Sequence, residues 1–206
     1  ALCFGCFGAI GGLPWGPREW PRFSHPRSAA ASPSMFQFTG VPPASLFRVA
    51  STSGLSVGVP GTVLGVDTAL RRWGTLTLAQ TLAPAIELAD QGFAVNRFLS
   101  ASIAADEQRT SLQPETAALL RPGGVPLAEG QRLRQPELAR TLRLIAADGP
   151  DAFYRGPVAQ AIVDAQRRSS TPVAEEGRGR MTMADLARYR VAIRQPIVGE
   201  YRGWTV

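Results

Sequence analysis

From residue 54 onward the chain punctuates its own helices, and this punctuation restricts what it can fold into more than any other feature. "TLAQTLAPAIELADQG" (77–92) opens with a capping box, Thr77 to Gln80, and closes on Gly92. Leu78, Leu82, Ala85 and Ala89 are expected to share its buried face, with Pro84 kinking it by removing a backbone donor. "QPELARTLRLIAADG" (135–149) starts with Pro136 in its first turn, spaces Leu138, Leu142 and Ile145 at helical intervals, and ends at Gly149. "GPVAQAIVDAQRR" (156–168) repeats the design behind Pro157, with Val158 and Ile162 predicted to face inward. Thr182 and Asp185 in "TMADLARY" stand at capping-box spacing. Short helices delimited this closely must bury their apolar stripes against one another.

The two ends read differently. "YRVAIRQPIVGEYRGWTV" (189–206) alternates apolar and polar residues around Val-Gly-Glu and predicts two short strands in a hairpin. "SSTPVAEEGRGR" (169–180) predicts a loop. Residues 1–53 carry scattered aromatics, frequent prolines and no sustained period, so the expected organisation is an irregular segment 1–53 followed by a helical region 54–206 with a C-terminal strand pair. The fold class is mixed α/β (α+β), mostly helical and ending in short strands. A terminal strand pair with an open edge is a liability that domains usually cover. The expectation is therefore a piece of something longer, interrupted at both ends.

Composition removes several functions. All 22 basic residues are arginine, so there is no lysine for a Walker A phosphate loop, a pyridoxal Schiff base or a Ser-x-x-Lys hydrolase. A net charge of +6 raises nucleic-acid binding, but from residue 54 the arginines are interleaved with acids, which reads as a solvated mixed-charge surface. No apolar run reaches the length of a membrane-spanning helix. Cys3 and Cys6 form a Cys-x-x-Cys pair, yet with one histidine, His25, the Cys and His residues cannot complete a four-ligand zinc site. No strand and helix pattern surrounds the pair as a redox motif would need, leaving two incidental thiols as the simpler reading.

"GLSVG" (54–58) matches Gly-x-Ser-x-Gly, which in some hydrolases raises a nucleophilic serine on a strand-to-helix turn. That chemistry places its histidine base after the serine, whereas His25 precedes Ser56. A turn of small residues explains the pattern better. Gly58 and Gly61 are expected to supply unusual backbone angles, Pro60 to fix one, and Thr62 to cap a helix beginning near Val63.

The order and spacing of "GLSVGVPGTVLGVDTAL", "RRWGTLTLAQTLAPAIELADQGFAVN", "PLAEGQRLRQPELARTLRLIAADGPDAFYRGPVAQAIVD", "GRMTMADLARY" and "YRGWTV" resemble the large-subunit region of the gamma-glutamyltranspeptidases, also called glutathione hydrolases. The resemblance covers about three quarters of the chain, and Val-Pro-Gly-Thr and Asp-Ala-Phe-Tyr-Arg-Gly are its most specific stretches. It implies part of an N-terminal-nucleophile hydrolase with an αββα core, made as a self-cleaving precursor. It further implies a threonine nucleophile opening the small subunit, with its own amino group as base. The implied reaction takes a gamma-glutamyl group from glutathione or another donor and passes it to water or an amino acid, without a cofactor.

By the same resemblance the small subunit of the precursor is the partner, and the protein is exported to the periplasm or outside the cell. The cleavage site, nucleophile and oxyanion hole of the family lie beyond "YRGWTV", so no catalytic residue and no metal ligand is expected within these residues, and this chain alone is expected to be inactive. The donor's alpha-carboxylate is held in the family by an arginine upstream. Here Arg18, followed by Glu19, is the candidate for substrate binding, in surroundings that depart from the family pattern and read as a slipped frame. A cephalosporin or glutaryl acylase of the same superfamily and a non-catalytic helical binding module are the alternatives.

Overall fold

The computed structural model describes residues 40–168, 177–194 and 198–205. Ten helices are defined among them: α1 (Pro43–Thr52), α2 (Thr62–Trp73), α3 (Leu78–Gln91), α4 (Arg97–Ala105), α5 (Glu107–Thr110), α6 (Pro114–Leu120), α7 (Pro136–Asp148), α8 (Pro150–Tyr154), α9 (Pro157–Arg167) and α10 (Met183–Arg188). The strands are two residues each. β1 (Phe93–Ala94) pairs antiparallel with β2 (Arg132–Leu133), and β3 (Glu200–Tyr201) pairs antiparallel with β4 (Trp204–Thr205).

The helix punctuation holds in detail. Thr77 Oγ1 accepts from the Gln80 amide while Gln80 Oε1 accepts from the Thr77 amide, and Thr182 and Asp185 make the same reciprocal pair at α10. Each box satisfies amide donors that a helix start leaves unpaired. Gly92 and Gly149 end α3 and α7 with φ of 79° and 71°, in the left-handed region where glycine has no Cβ to clash. α3 runs on through Pro84 to Gln91 as one helix.

Buried faces assemble into three separate apolar clusters. The main one joins Ile145 of α7, Phe153 and Tyr154 of α8, Ala159 and Val163 of α9, Met181, and Leu186 of α10, with Leu64 of α2 and Leu78 and Leu82 of α3 packed on it. Met181 and Leu186 are fully enclosed. A second cluster pairs Val49 of α1 with Leu55. A third, formed by Val95, Ile103, Leu127 and Leu133, lies between β1 and β2 in the chain. α3 packs along α7, fastened by the Gln135 amide donating to the Ala89 carbonyl (2.8 Å) and by the Arg143–Asp90 ion pair (2.5 Å).

Several expectations are corrected. Residues 43–52, inside the segment expected to be irregular, form α1, whose Val49 is buried. On α3, Ala85 is exposed; the buried side runs through Leu78, Leu82 and Ala89. α9 turns Ala159, Val163 and Gln166 deepest into the protein, with Val158 and Ile162 half-buried on the flank. Periodicity finds such a face but not its centre, which depends on where α8 and α10 lie.

The C-terminal hairpin turns at Arg202 and Gly203, with φ of 50° and 81°, and not at Val-Gly-Glu. Two successive positive φ values belong to the tight turn whose twist matches a two-residue hairpin. Residues 189–194 are not in a strand. Of the predicted loop 169–180, residues 177–180 are described and carry no regular structure.

Candidate functional site

The stretch that first suggested a nucleophile is held at both ends. At its start, Gly54 lies against the end of α9. A methyl group there would overlap the Gln166 carbonyl and approach the Gly179 nitrogen at 2.6 Å. Gly179 in turn donates its amide to the Gln166 carbonyl (2.9 Å), and Leu55 donates to the Gly177 carbonyl (3.2 Å). The Gln166 side chain completes the junction: Nε2 donates to the Met181 carbonyl (2.6 Å) and Oε1 accepts from the Met181 amide (3.2 Å). Gln166 is buried, and both ends of its amide are satisfied, the condition under which a polar side chain is tolerated inside.

At the other end, two tyrosines clamp Val-Pro-Gly-Thr. Tyr154 donates its hydroxyl to the Pro60 carbonyl (2.6 Å) and accepts from the Leu64 amide (3.3 Å). Its hydroxyl therefore bridges the turn and the first turn of α2. Burial pushes its ionisation above the ordinary tyrosine value of 10.0, opposed by the Leu64 N–H and reinforced by Tyr189. Tyr154 stays neutral as the donor this bridge requires.

Tyr189 stacks on Tyr154 and lies where a side chain at Gly61 would be. The glycine requirement at 61 thus differs from the expected one. Gly61 has φ −98°, open to any residue, and Gly58 also lacks a positive φ. A side chain at 61 would instead overlap the Tyr189 hydroxyl and the ring carbon that carries it. Thr62 is the first residue of α2 and makes no capping bond; Gly61 occupies the cap position.

Ser56 is exposed at the edge of this stretch, and its hydroxyl donates to the Ser53 carbonyl (2.8 Å) and the Ser51 carbonyl (3.2 Å). Those partners are acceptors of a local turn, not a general base, so the geometry gives the hydroxyl no activation. Among the described residues there is no histidine and no group of three or more His, Cys, Asp or Glu able to hold a metal ion. Arg18, His25, Cys3 and Cys6 lie outside the described residues.

Sequence reasoning missed Tyr154, Tyr189 and Gln166 as the groups that fix the turn. Asp-Ala-Phe-Tyr-Arg-Gly carried part of the signal, and each member has a task. Asp151 pairs with Arg155 (3.1 Å), Phe153 and Tyr154 enter the core, and Arg155 donates to the Ala187 carbonyl at the end of α10 (3.2 Å). Gly156 passes within 2.9 Å of the Ala152 carbonyl where a Cβ would sit. The motif is a junction joining α2, α8 and α10.

Residues 22–206 match the gamma-glutamyltranspeptidase family model. The chain belongs to the gamma-glutamyltranspeptidase family. The match takes in residues 22–53, within the segment expected to be irregular, and begins after Arg18. Among curated relatives, the acylase ACY 1 proenzyme of Pseudomonas sp. (strain SE83) is 45% identical over 151 residues, covering 73% of this chain and 26% of the relative. The glutathione hydrolase proenzyme of Bacillus subtilis (strain 168) is 37% identical over 181 residues, covering 86% of this chain and 29% of the relative. The chain thus spans less than a third of the length of these relatives. In three dimensions it superimposes on the Helicobacter pylori gamma-glutamyltranspeptidase with a TM-score of 0.75 at 31% identity, over 85% of this chain and 48% of that one. The helices described here are the α-rich portion of that fold.

Proposed function

We propose that these residues are scaffold from the large subunit of a gamma-glutamyltranspeptidase precursor, and that the complete protein cleaves the gamma-glutamyl amide of glutathione or a similar donor. A threonine hydroxyl outside this chain attacks the amide carbonyl, its own amino group taking the proton; the amine leaves, and water or an amino acid then takes the acyl group. The observation that carries this reading is the family match across residues 22–206. The role of the residues in hand is positional: the Tyr154–Tyr189 clamp and the Gln166 junction hold the 54–65 stretch rigid, as precise placement of a substrate by a second subunit requires.

The proposed partner is the small subunit of the same precursor. Trp204 and Tyr201, both exposed on the strand pair, offer it apolar surface and an open edge. Export to the periplasm or beyond and a role for Arg18 in holding the donor's alpha-carboxylate belong to the same proposal.

The 45% identity to an acylase proenzyme favours a second reading, in which the donor is a glutaryl or cephalosporin amide. The full reading frame containing this chain should be expressed, its self-cleavage followed on a denaturing gel, and the product assayed with gamma-glutamyl-p-nitroanilide and glutaryl-7-aminocephalosporanic acid. Cleavage into two subunits with turnover of the first substrate is expected. Preference for the second substrate would move the assignment to the acylases. A soluble product that neither cleaves itself nor turns over either substrate would favour the helical binding module.

A further inference from the structure

Between the end of α3 and the start of α7 the chain makes an excursion, residues 93–133, which closes on itself. Its neck is the β1–β2 pair, Phe93 opposite Leu133 and Ala94 opposite Arg132. Beyond the neck it has its own apolar cluster, with Leu99, Leu119 and Leu120 packed around Val95, Ile103, Leu127 and Leu133, and it shares none of these residues with the main cluster. Its interior polar group is its own as well: Arg121, buried, donates to Glu107 (3.1 Å), and to the carbonyls of Ile103 (3.4 Å) and Gly124 (3.5 Å).

The neck is tightly fastened. Arg132 donates to the carbonyls of Gln91 and Gly92 (3.2 and 3.0 Å), and Arg134 donates to that of Asp90 (2.8 Å). Gly92, with φ +79°, stands where α3 enters the neck. Away from the neck, Arg48 Nη1 of α1 donates to Gln108 Oε1 of α5 across 60 residues of sequence (2.6 Å), and both side chains lie at the surface.

We propose that residues 93–133 are a lobe that opens by local unfolding as one cooperative unit beyond the β1–β2 neck, independently of the principal core, with the Arg48–Gln108 hydrogen bond as its latch against α1. A small element with a separate core unfolds at lower free energy than the principal core, and a neck bound to the end of α3 confines that opening to the lobe. An exposed hydrogen bond contributes little to global stability. Between α1 and the lobe it biases the closed state without binding the two cores together.

The test is hydrogen–deuterium exchange on the full-length protein followed by mass spectrometry, comparing peptides from 97–127 with peptides from α9. The lobe amides should exchange together, at least about tenfold faster than those of α9. Arg48→Ala should speed the lobe's exchange by about two- to tenfold, the range a lost surface hydrogen bond allows, and leave α9 unchanged. Gln108→Ala should do the same, and the double variant no more than either single one. Lobe and α9 amides exchanging in step would overturn the proposal, as would lobe amides scattering over independent rates. Lobe exchange unmoved by either substitution would overturn it too. Both residues are exposed and outside the cores, so the variants retain the fold.

Discussion

Tyr189 lies flat on Tyr154, their ring centroids 5.7 Å apart and their planes 5° from parallel, and both rings grip the same turn, residues 60–64. Tyr154 holds the Pro60 carbonyl and the Leu64 amide, while Tyr189 fills the space beside Gly61. Residues separated in sequence by 90 positions or more thus set the path of the chain into α2.

Tyr154→Phe keeps the ring and removes the hydroxyl, leaving the Pro60 carbonyl and the Leu64 amide without this partner. The expected loss is about 1–3 kcal/mol of unfolding free energy, from groups deprived of a bond in a half-buried place. Denaturant titration of both proteins checks it, and equal midpoints would show the bridge to be dispensable.

The same substitution has a pH signature. The folded-state ionisation of Tyr154 lies above its ordinary value of 10.0, so the neutral hydroxyl is favoured by folding. Its contribution is therefore fully present below pH 10 and is lost as pH rises through the folded-state value. Unfolding scans across the alkaline range should show the stability gap between the parent and Tyr154→Phe narrowing as pH climbs past 10. A gap that stays constant or widens would contradict this.

Gly61→Ala should destabilise by overlap with Tyr189 and not by backbone strain, because φ at 61 suits any residue. Overpacking of this type costs about 1–3 kcal/mol. In a double-mutant cycle with Tyr189→Ala, the glycine substitution should lose most of its effect. An undiminished cost in the Tyr189→Ala background would point to the backbone instead.

Gln166→Leu should cost more than substitution of an exposed glutamine. It leaves the Met181 carbonyl and amide buried without their present partners, about 1–3 kcal/mol for each unsatisfied group. Protease susceptibility of the segment around Gly177–Met181 gives a local readout beside the global melt. A variant as resistant as the parent in that segment would argue against the junction.

Thr77→Ala and Thr182→Ala each remove one arm of a capping box and should lower stability by about 1 kcal/mol, roughly additively because the two helix starts make no shared bond. Two-state denaturant curves on the singles and the double would measure both the size and the additivity.

The starts of α3, α7, α9 and α10 and the stops of α3 and α7 were legible in the sequence alone, because caps, first-turn prolines and C-terminal glycines act through atoms a few residues apart. The improbability of Ser56 as a nucleophile was legible for a related reason: His25 stands on the wrong side of it. The tertiary structure decided what depends on distant neighbours. It showed that α1 occupies 43–52, where proline-rich flanks hide a short amphipathic stretch, and that Ala85 faces solvent because α7 packs elsewhere on α3. It moved the hairpin turn to Arg202–Gly203, since register is a property of two strands together. It also gave Gly61 its reason. A glycine required by a positive φ and one required by a neighbouring ring look the same in a sequence; only the position of Tyr189 separates them.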